Sequence, residues 1–155
     1  MVSTLSRFFP LCSRLPVISI RLLGAGMRSR SCLETTTMEL SNSEYESLSN
    51  ETLDKLAEVF DSLGEKYNLD KDYDVEHAYG VLKVYFGAGI GTYIINRQAP
   101  NKQLWLSSPR SGPKRYDFIR SRDEWVYRHD GTALHELLAH EISDIVKSTI
   151  AFPKR

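Results

Sequence analysis

A row of carboxylates at helical spacing is the feature of this 155-residue chain best suited to chemistry. Acidic residues recur three or four positions apart, which places them on one face of a predicted helix. This acidic row consists of Glu51, Asp54, Glu58, Asp61 and Glu65, and Asp72 and Asp74 extend its negative charge into the next predicted element. Like charges at this spacing destabilise a helix by about 0.2–0.5 kcal/mol per pair. A bound cation or a basic protein surface would relieve that repulsion.

The oxygen ligands of the acidic row predict which cations it would accept. Hard oxygen ligands suit Fe(II), Fe(III), Mn(II), Mg(II) and Ca(II) rather than Cu(I). The row contains no His or Cys, and Lys55 and Lys66 are expected to lie too far to its side to neutralise it. We therefore expect weak, hydrated binding of several ions. The alternative is a solvated helix face that binds nothing and keeps the protein soluble.

Other features of the sequence argue against the sites that they suggest. His135 and His140 are five residues apart on a predicted helix, so they cannot chelate one zinc ion and are expected to be surface or capping residues. The three glycines of residues 87–91 lie between two predicted strands, which argues against a dinucleotide site. No serine lies in a nucleophile elbow, and the basic residues between 114 and 128 alternate with acids. We assign no catalytic residue and expect no binding to nucleic acid.

The periodicity of apolar residues predicts a helix at each end of the domain and strands between them. Residues 43–67 repeat apolar side chains at helical spacing, and residues 132–150 do so again after a capping candidate at Asp130 or Thr132. Between the two helices the period is two, which is typical of strands. The predicted strands are 74–77, 81–86, 92–98, 102–108, 114–118 and 124–128.

The short connections between these strands predict the fold class. Loops such as residues 99–101 are too short for crossover helices, so successive strands should pair antiparallel. We expect an α+β two-layer sandwich, with both helices packed on one face of the antiparallel sheet and the other face wet. Leu104 and Leu106 would then face the helices, whereas Trp105 would stand on the wet face. A large aromatic there indicates a protein interface, unless the C-terminal tail or a loop covers it.

Charge divides the chain into a leader and one domain. Residues 1–33 carry five Arg and no acid, residues 34–76 carry 13 acids against three Lys, and residues 77–155 carry 12 basic against seven acidic groups. Arginine at every seventh position among apolar residues predicts a mitochondrial presequence over 1–40 and a domain over 41–155. The alternative for the leader is a disordered basic tail. Both cysteines precede residue 34, and no apolar run is long enough to span a membrane.

Long, ordered motifs in the sheet and the second helix carry a resemblance to a known family. They are NKQLWLSSP at 101–109, SGPKRYD at 111–117, WVY at 125–127, HDG at 129–131 and LHELL at 134–138, with further segments at 51–54, 72–75 and 91–93. Residues 43–150 resemble frataxin. The resemblance implies the frataxin fold, whose element order is the one derived above. It also implies a mitochondrial matrix location, which agrees with the predicted presequence.

The resemblance implies a function and two functional surfaces. The function is that of an iron-binding accessory protein that stimulates sulfur transfer in a complex of cysteine desulfurase and iron–sulfur scaffold protein. Family positions that bind iron and face the desulfurase correspond here to the acidic row with Asp72 and Asp74. Family positions on the sheet that meet the scaffold correspond to Asn96, Gln98, Gln103, Trp105 and Arg115.

Two departures from the family pattern affect these surfaces. Asn50 and Ser62 stand where relatives often have acids, which would weaken metal binding. The segment 119–123 lengthens a hairpin by two residues near the surface predicted to meet the partner, and so alters its geometry.

Two functional interpretations remain open. In the first, the protein is a binding module that docks on the scaffold through Trp105 and on the desulfurase through the acidic row. In the second, it is a weak ferroxidase and iron chaperone or storage protein that oxidises Fe(II) to Fe(III) and delivers iron for cluster and haem synthesis, with ferrochelatase as a further partner. We favour the first, because nothing in the sequence builds a closed metal cage. We expect a monomer with weakly bound iron and no organic cofactor, and leave open an oligomer formed with iron.

Overall fold

The computed structural model describes residues 40–154, so the predicted presequence lies outside the described part of the chain. In this part the chain forms a helix, six strands and a second helix, in that order. The elements are α1 (Asn42–Lys66), β1 (Asp74–Ala78), β2 (Val81–Tyr85), β3 (Thr92–Gln98), β4 (Gln103–Ser108), β5 (Gly112–Ile119), β6 (Glu124–Tyr127) and α2 (Leu134–Val146), with a short 3-10 helix at Ala99–Asn101.

The strands form a single six-stranded meander. Their order in the sheet is β1-β2-β3-β4-β5-β6, and every neighbouring pair is antiparallel. Because each strand pairs with the next one along the chain, tight turns suffice as connections. The predicted α+β class, with two helices and an antiparallel sheet, is confirmed.

Helix α1 begins at a capping box. The hydroxyl of Ser41 accepts a hydrogen bond from the backbone N–H of Glu44 at 3.2 Å, and the Glu44 carboxylate accepts one from the backbone N–H of Ser41 at 2.9 Å. These two bonds satisfy amide groups that the first helical turn would otherwise leave unpaired. The helix ends at Lys66, and the N–H of the following Tyr67 closes the last turn on the Leu63 carbonyl at 3.0 Å.

The core lies between the helices and one face of the sheet. Alternate strand residues point inward and are almost fully buried, as the period of two requires. They are Leu82, Val84, Tyr93, Ile95, Leu104, Leu106, Tyr116 and Trp125. From α1 the buried apolar face contributes Tyr45, Leu53, Leu56, Phe60 and Leu63. The chain after α2 also joins this core, because Phe152 packs on Phe60 with ring centroids 5.2 Å apart.

Helix α2 differs from its prediction at both ends. It begins after Ala133 rather than at a polar cap, and the N–H of Ala133 donates to the Glu136 carboxylate at 3.3 Å. Asp130 instead accepts from the N–H of Thr132 at 2.8 Å, so the expected capping role of either residue is wrong. The helix ends at Val146 rather than near residue 150, because Lys147 adopts a left-handed conformation with φ of 55°.

The expectation for the two helical histidines is half right. His140 is exposed, as predicted. His135 is not a surface residue, since its side chain is only 14% exposed and its Nε2 lies 4.0 Å from the Glu124 carboxylate. The cause is that β6 packs against α2 at this point.

Three hydrogen bonds from aromatic side chains fix α1 over the sheet. Tyr45 donates to the Gln103 carbonyl at 2.8 Å, Tyr73 donates to the Phe60 carbonyl at 2.7 Å, and the Trp125 indole donates to the Thr52 hydroxyl at 2.9 Å. The first and third bonds join α1 to strands β4 and β6, and the second joins it to the residue that precedes β1. Over residues 40–154, neither helix combines the length and the hydropathy that a bilayer span requires.

Candidate partner-binding surface and acidic row

The outer face of the sheet gathers the five predicted partner-binding residues into two cross-strand rows. Asn96, Trp105 and Arg115 lie directly opposite one another on β3, β4 and β5. Gln98 and Gln103 form the second row, and Asp117 completes it. Directly opposed side chains on one face of a sheet are in contact range. We define the six residues Asn96, Gln98, Gln103, Trp105, Arg115 and Asp117 as the outer-face grid.

Trp105 is the large aromatic residue of the grid, and its side chain is held on two sides. The guanidinium carbon of Arg115 lies 4.6 Å from the centroid of the indole ring, which is the geometry of a cation–π contact. The indole Nε1 donates a hydrogen bond to the Gln103 side-chain oxygen at 3.1 Å. The side chain is half-buried and lines a concave surface with a cavity volume of about 620 Å³.

The C-terminal tail does not cover Trp105. Phe152 carries the tail to Phe60 on the helix side of the sheet, which is the opposite layer. Within the described residues, the alternative in which the tail buries the indole is therefore wrong. The outer face stays accessible around Trp105.

The sequence did not reveal two residues of this surface: Asp117, which belongs to the grid, and Arg128, which lies beside it. The Gln103 side-chain amide donates to one Asp117 carboxylate oxygen at 3.0 Å, and Nε of Arg128 lies 2.8 Å from the other. Asp117 is two residues beyond Arg115, so strand parity alone could have placed it on the same face. Arg128 follows β6 and could be placed only from the strand register.

The charged side chains that line the concave surface around Trp105 are mostly basic. Lys114, Arg115, Arg128 and His129 line it, and the carboxylate of Asp117 is paired with Arg128. An aromatic anchor beside the cations of Lys114, Arg115 and Arg128 suits a partner surface that carries carboxylates or thiolates.

The acidic row lies on the solvent-exposed face of α1. Asp54, Glu58, Asp61 and Glu65 are exposed, whereas Glu51 is half-buried. Lys55 Nζ lies 2.9 Å from the Glu51 carboxylate, so the expectation that Lys55 lies too far to the side is wrong. The two residues are four positions apart, which is contact distance on a helix. The net charge at this end of the row is therefore less negative than the carboxylates alone would make it.

Strand β1 brings further polar groups towards the acidic row, because it contacts α1. Asp72 and Asp74 are exposed at its start. His77 was missed by sequence reasoning, and its Nδ1 lies 3.5 Å from a carboxylate oxygen of Asp54. Strand parity places His77 on the same face as Val75, which packs against the core, but its contact with Asp54 also depends on how β1 packs on α1.

The carboxylates remain spread along an open face. Between residues 40 and 154, no group of three or more His, Cys, Asp or Glu side chains is close enough to hold a metal ion. Their hard oxygen atoms fit a cation such as iron, but each carboxylate would hold it together with water rather than as part of a closed shell.

Comparisons with known proteins agree on one family. A family model described as a frataxin-like domain matches residues 38–148. Mitochondrial frataxin of Caenorhabditis elegans is 46% identical over 106 residues, which cover 68% of this chain and 77% of that protein. The mitochondrial frataxin homolog of Drosophila melanogaster is 49% identical over 115 residues, which cover 73% of this chain and 60% of that protein.

The solved structures include a trimeric frataxin from the yeast Saccharomyces cerevisiae complexed with ferrous iron. It superposes with a TM-score of 0.57 at 36% identity, and the match covers 65% of this chain and 87% of the yeast chain. The relatives above are mitochondrial proteins by name, and this chain is likewise mitochondrial. Its six-stranded meander between two helices and its match over residues 38–148 lead to one conclusion: the chain belongs to the frataxin family.

Proposed function

We propose that this protein is an iron-binding accessory factor of iron–sulfur cluster assembly in the mitochondrial matrix. It stimulates sulfur transfer within a complex of cysteine desulfurase and scaffold protein. The observation that carries this proposal is the outer-face grid, in which Arg115 and Gln103 hold the Trp105 indole in place. A side chain that is ordered in advance loses little conformational entropy when it docks, so it makes an efficient anchor.

The charge around Trp105 supports a scaffold protein as its partner. Iron–sulfur clusters are held by cysteine thiolates, so a scaffold has to expose thiolates at its assembly site. Lys114, Arg115 and Arg128 would favour the ionised form of a nearby thiol. A thiolate is the nucleophile in thiol–disulfide exchange. In sulfur transfer it would attack the outer sulfur of a persulfide, and the donor thiolate would leave.

The acidic row would serve a second partner, the desulfurase. It lies on α1, in the layer opposite to the outer-face grid, so the two surfaces are free to contact two proteins at once. Asp54, Glu58 and Asp61 are exposed and would pair with a basic surface. Iron would bind the same carboxylates, together with Glu51, Glu65, Asp72 and Asp74, weakly and with water in its shell.

A second candidate function is ferroxidation with iron delivery. The yeast relative complexed with ferrous iron favours it, because that protein holds the substrate of such a reaction and is a trimer. Anionic oxygen ligands stabilise Fe(III) more than Fe(II), so an iron ion on the acidic row would be oxidised more readily by O₂. The product would be carried to cluster assembly or to ferrochelatase for haem synthesis, and iron would promote oligomers.

The deciding experiment is the rate of sulfide production and cluster assembly by the desulfurase–scaffold complex. Wild-type protein should stimulate that rate, and Trp105→Ala should remove most of the stimulation. Tyr79→Ala is the matched control, because Tyr79 is a fully exposed aromatic residue at the β1–β2 turn, outside the grid. Equal loss in both variants would reject the grid as the docking surface.

A reciprocal experiment separates the two candidate functions. The triple change Asp54→Asn, Glu58→Gln and Asp61→Asn should abolish iron-dependent oxygen consumption if the acidic row is the oxidation site. Trp105→Ala should leave that oxygen consumption intact. A wild-type protein that oxidises Fe(II) but does not stimulate sulfide production would make ferroxidation and iron carriage the function.

A further inference from the structure

We infer that Asp117 and Arg128 are positioning residues that set the orientation of the Trp105 indole through Gln103. This inference rests on the proposed function, in which Trp105 is the docking anchor. Neither residue belongs to the five positions assigned to the partner surface from the sequence. They lie beside it, and hydrogen bonds and an ion pair join them to it.

The four side chains form one continuous chain of polar contacts. Arg128 Nε lies 2.8 Å from Oδ2 of Asp117, and Asp117 Oδ1 accepts from Gln103 Nε2 at 3.0 Å. Gln103 Oε1 in turn accepts from Trp105 Nε1 at 3.1 Å. Asp117 and Gln103 are directly opposed on β5 and β4, so the backbone register sets the distance between them.

The chemistry of the donors and acceptors allows only one arrangement of this chain. An ionised Asp117 can only accept hydrogen bonds, and the Trp105 indole N–H can only donate one. Gln103 stands between them and carries one donor group and one acceptor. Its NH₂ group must therefore face Asp117, and its oxygen must face Trp105. Asp117 thus decides which end of the Gln103 amide meets the indole.

Arg128 keeps the second oxygen of Asp117 occupied. The Asp117 side chain is 19% exposed, whereas that of Arg128 is 70% exposed. An exposed ion pair of this kind contributes little to stability. The ion pair instead affects geometry. Because Arg128 occupies Oδ2 of Asp117, the Gln103 amide pairs with Oδ1.

Replacing the Asp117 carboxylate by an amide should reverse the direction of the hydrogen bonds that Gln103 makes. In Asp117→Asn, the Arg128 guanidinium can only donate, so it selects the amide oxygen and turns the new NH₂ group towards Gln103. Gln103 must then turn its own oxygen to residue 117 and its NH₂ group to the Trp105 N–H, where two donors meet. Trp105 loses its acceptor even though the side chain at residue 117 is almost unchanged in shape.

Removing Arg128 should undo this effect. In the double variant Asp117→Asn with Arg128→Met, no donor selects the amide oxygen, so that oxygen is free to face Gln103. Gln103 then presents its oxygen to Trp105 as in the wild type. If Asp117→Asn acted by a general loss of packing, a second change at Arg128 would not restore the Gln103–Trp105 hydrogen bond. Recovery is expected only if the two residues position Gln103.

The indole N–H signals in a ¹H–¹⁵N correlation spectrum of the full chain test the inference. The chain has two tryptophans, and Trp125 Nε1 donates to Thr52 at 2.9 Å in the core, so its signal reports on the fold. The Trp105 signal should shift and its hydrogen exchange should accelerate in Asp117→Asn, and both should return towards wild type in the double variant. The Trp125 signal should stay in place. Asp144→Asn is the control, since it removes a carboxylate that pairs with Arg110 at 3.3 Å.

A Trp105 signal that is unchanged in Asp117→Asn, or equally perturbed in the double variant, would overturn the inference. The sulfide assay then gives the functional readout. Asp117→Asn should raise the concentration for half-maximal stimulation about tenfold and leave the maximal rate unchanged, with recovery in the double variant. If the Trp105 signal responds as expected but Trp105→Ala leaves stimulation intact, the proposed function fails while the positioning geometry stands.

Discussion

Ser108 is a single small residue that joins the β4–β5 turn to α2. Its hydroxyl donates to the buried Glu141 carboxylate at 2.6 Å and accepts from the backbone N–H groups of Arg110 and Ser111, each at 3.1 Å. The Tyr93 hydroxyl donates to the same Glu141 oxygen at 2.9 Å. Burial, followed by the neighbouring Glu141, raises the pKa of Tyr93, so this donor stays protonated.

Ser108→Ala should therefore destabilise the protein by about 1–3 kcal/mol, because the buried Glu141 carboxylate and two partly buried amide donors lose a partner. The measurement is the free energy of unfolding from urea titration. Ser107→Ala is the control on the same strand. Ser107 is exposed, and its change should stay within about 0.5 kcal/mol. A Ser108→Ala protein as stable as the control would show that the turn relaxes without cost.

Gly80 is required by both its backbone and its surroundings. Its φ is 76°, and a Cβ atom there would lie 2.2 Å from Nε of Arg97. Gly80→Ala should lower the free energy of unfolding by about 1–3 kcal/mol, since the left-handed backbone is strained and Arg97 must move. Gly89→Ala is the matched control, because nothing lies within 4 Å of its added methyl group and its φ is not in the left-handed range. The measurement is the thermal unfolding midpoint of each variant. Equal midpoints would show that residue 80 accepts a methyl group without strain.

Residue-level contacts were predictable only where strand parity or helical spacing decides them. Parity placed Trp105 on the outer face, and it could also have placed Asp117 there. The Lys55 contact with Glu51 follows from a spacing of four and should have been predicted. The His77 contact with Asp54 and the Arg128 contact with Asp117 join separate elements, so they depend on how those elements pack, which no local pattern encodes.

At the scale of elements, the first turn of α1 couples stability to pH. The backbone N–H and hydroxyl of Ser41, together with Arg120 on the β5–β6 hairpin, lower the pKa of Glu44 from 4.5 to about 2. A carboxylate whose pKa is lower in the folded state contributes stability that is present above its unfolded pKa of 4.5 and is lost as the pH falls towards 2. The cap and the hairpin should therefore weaken together in acid.

Glu44→Gln tests that coupling. Above about pH 5 the wild type should unfold at a higher urea concentration than the variant, and the two midpoints should converge as the pH falls from 4.5 to 2. The measurement is a series of urea titrations across this range. Glu46→Gln is the control, since Glu46 is exposed on the same helix outside the capping box. A difference that persists undiminished at pH 2 would contradict the assignment.

The elements themselves were well predicted because their patterns are long. All six strands and α1 lie close to their predicted ranges, since alternation and helical periodicity run over their full lengths. The ends of α2 were wrong for a local reason. Lys147 turns left-handed, and the N–H of Ile150 donates to the Ser143 hydroxyl at 2.8 Å, which folds the chain back after the helix. The apolar residues beyond Val146 continue the helical pattern but pack from an irregular segment.

At the scale of the whole molecule, the chain after α2 completes the core. Phe152 is 7% exposed and packs on Phe60. Lys154 Nζ lies 2.7 Å from the Glu124 carboxylate and lowers the pKa of that group. The contact of Phe152 is apolar and buried, whereas the side chain of Lys154 is 67% exposed. The two contacts should therefore differ in energy.

Phe152→Ala should cost about 3–5 kcal/mol of unfolding free energy, as for other buried aromatic residues. Lys154→Ala should cost less than about 1 kcal/mol, because the lysine is largely solvated and Arg122 still pairs with Glu124 at 2.9 Å. Urea titration of both variants provides the comparison. If Lys154→Ala were the more damaging change, the tail would be held by charge rather than by the core.

The position of Phe152 in the chain has a consequence for biogenesis. Phe60 gains its contact with Phe152 only after about 90 further residues have been translated. Synthesis of those residues takes roughly 5–20 s at common rates. A loss of about 3–5 kcal/mol is a large share of the 5–15 kcal/mol that stabilises a typical domain. We therefore expect the nascent chain to remain loosely folded until its last core residue is made. The fold would therefore reach its full stability only after Phe152 has been made, which leaves the chain easier to unfold while it is being synthesised.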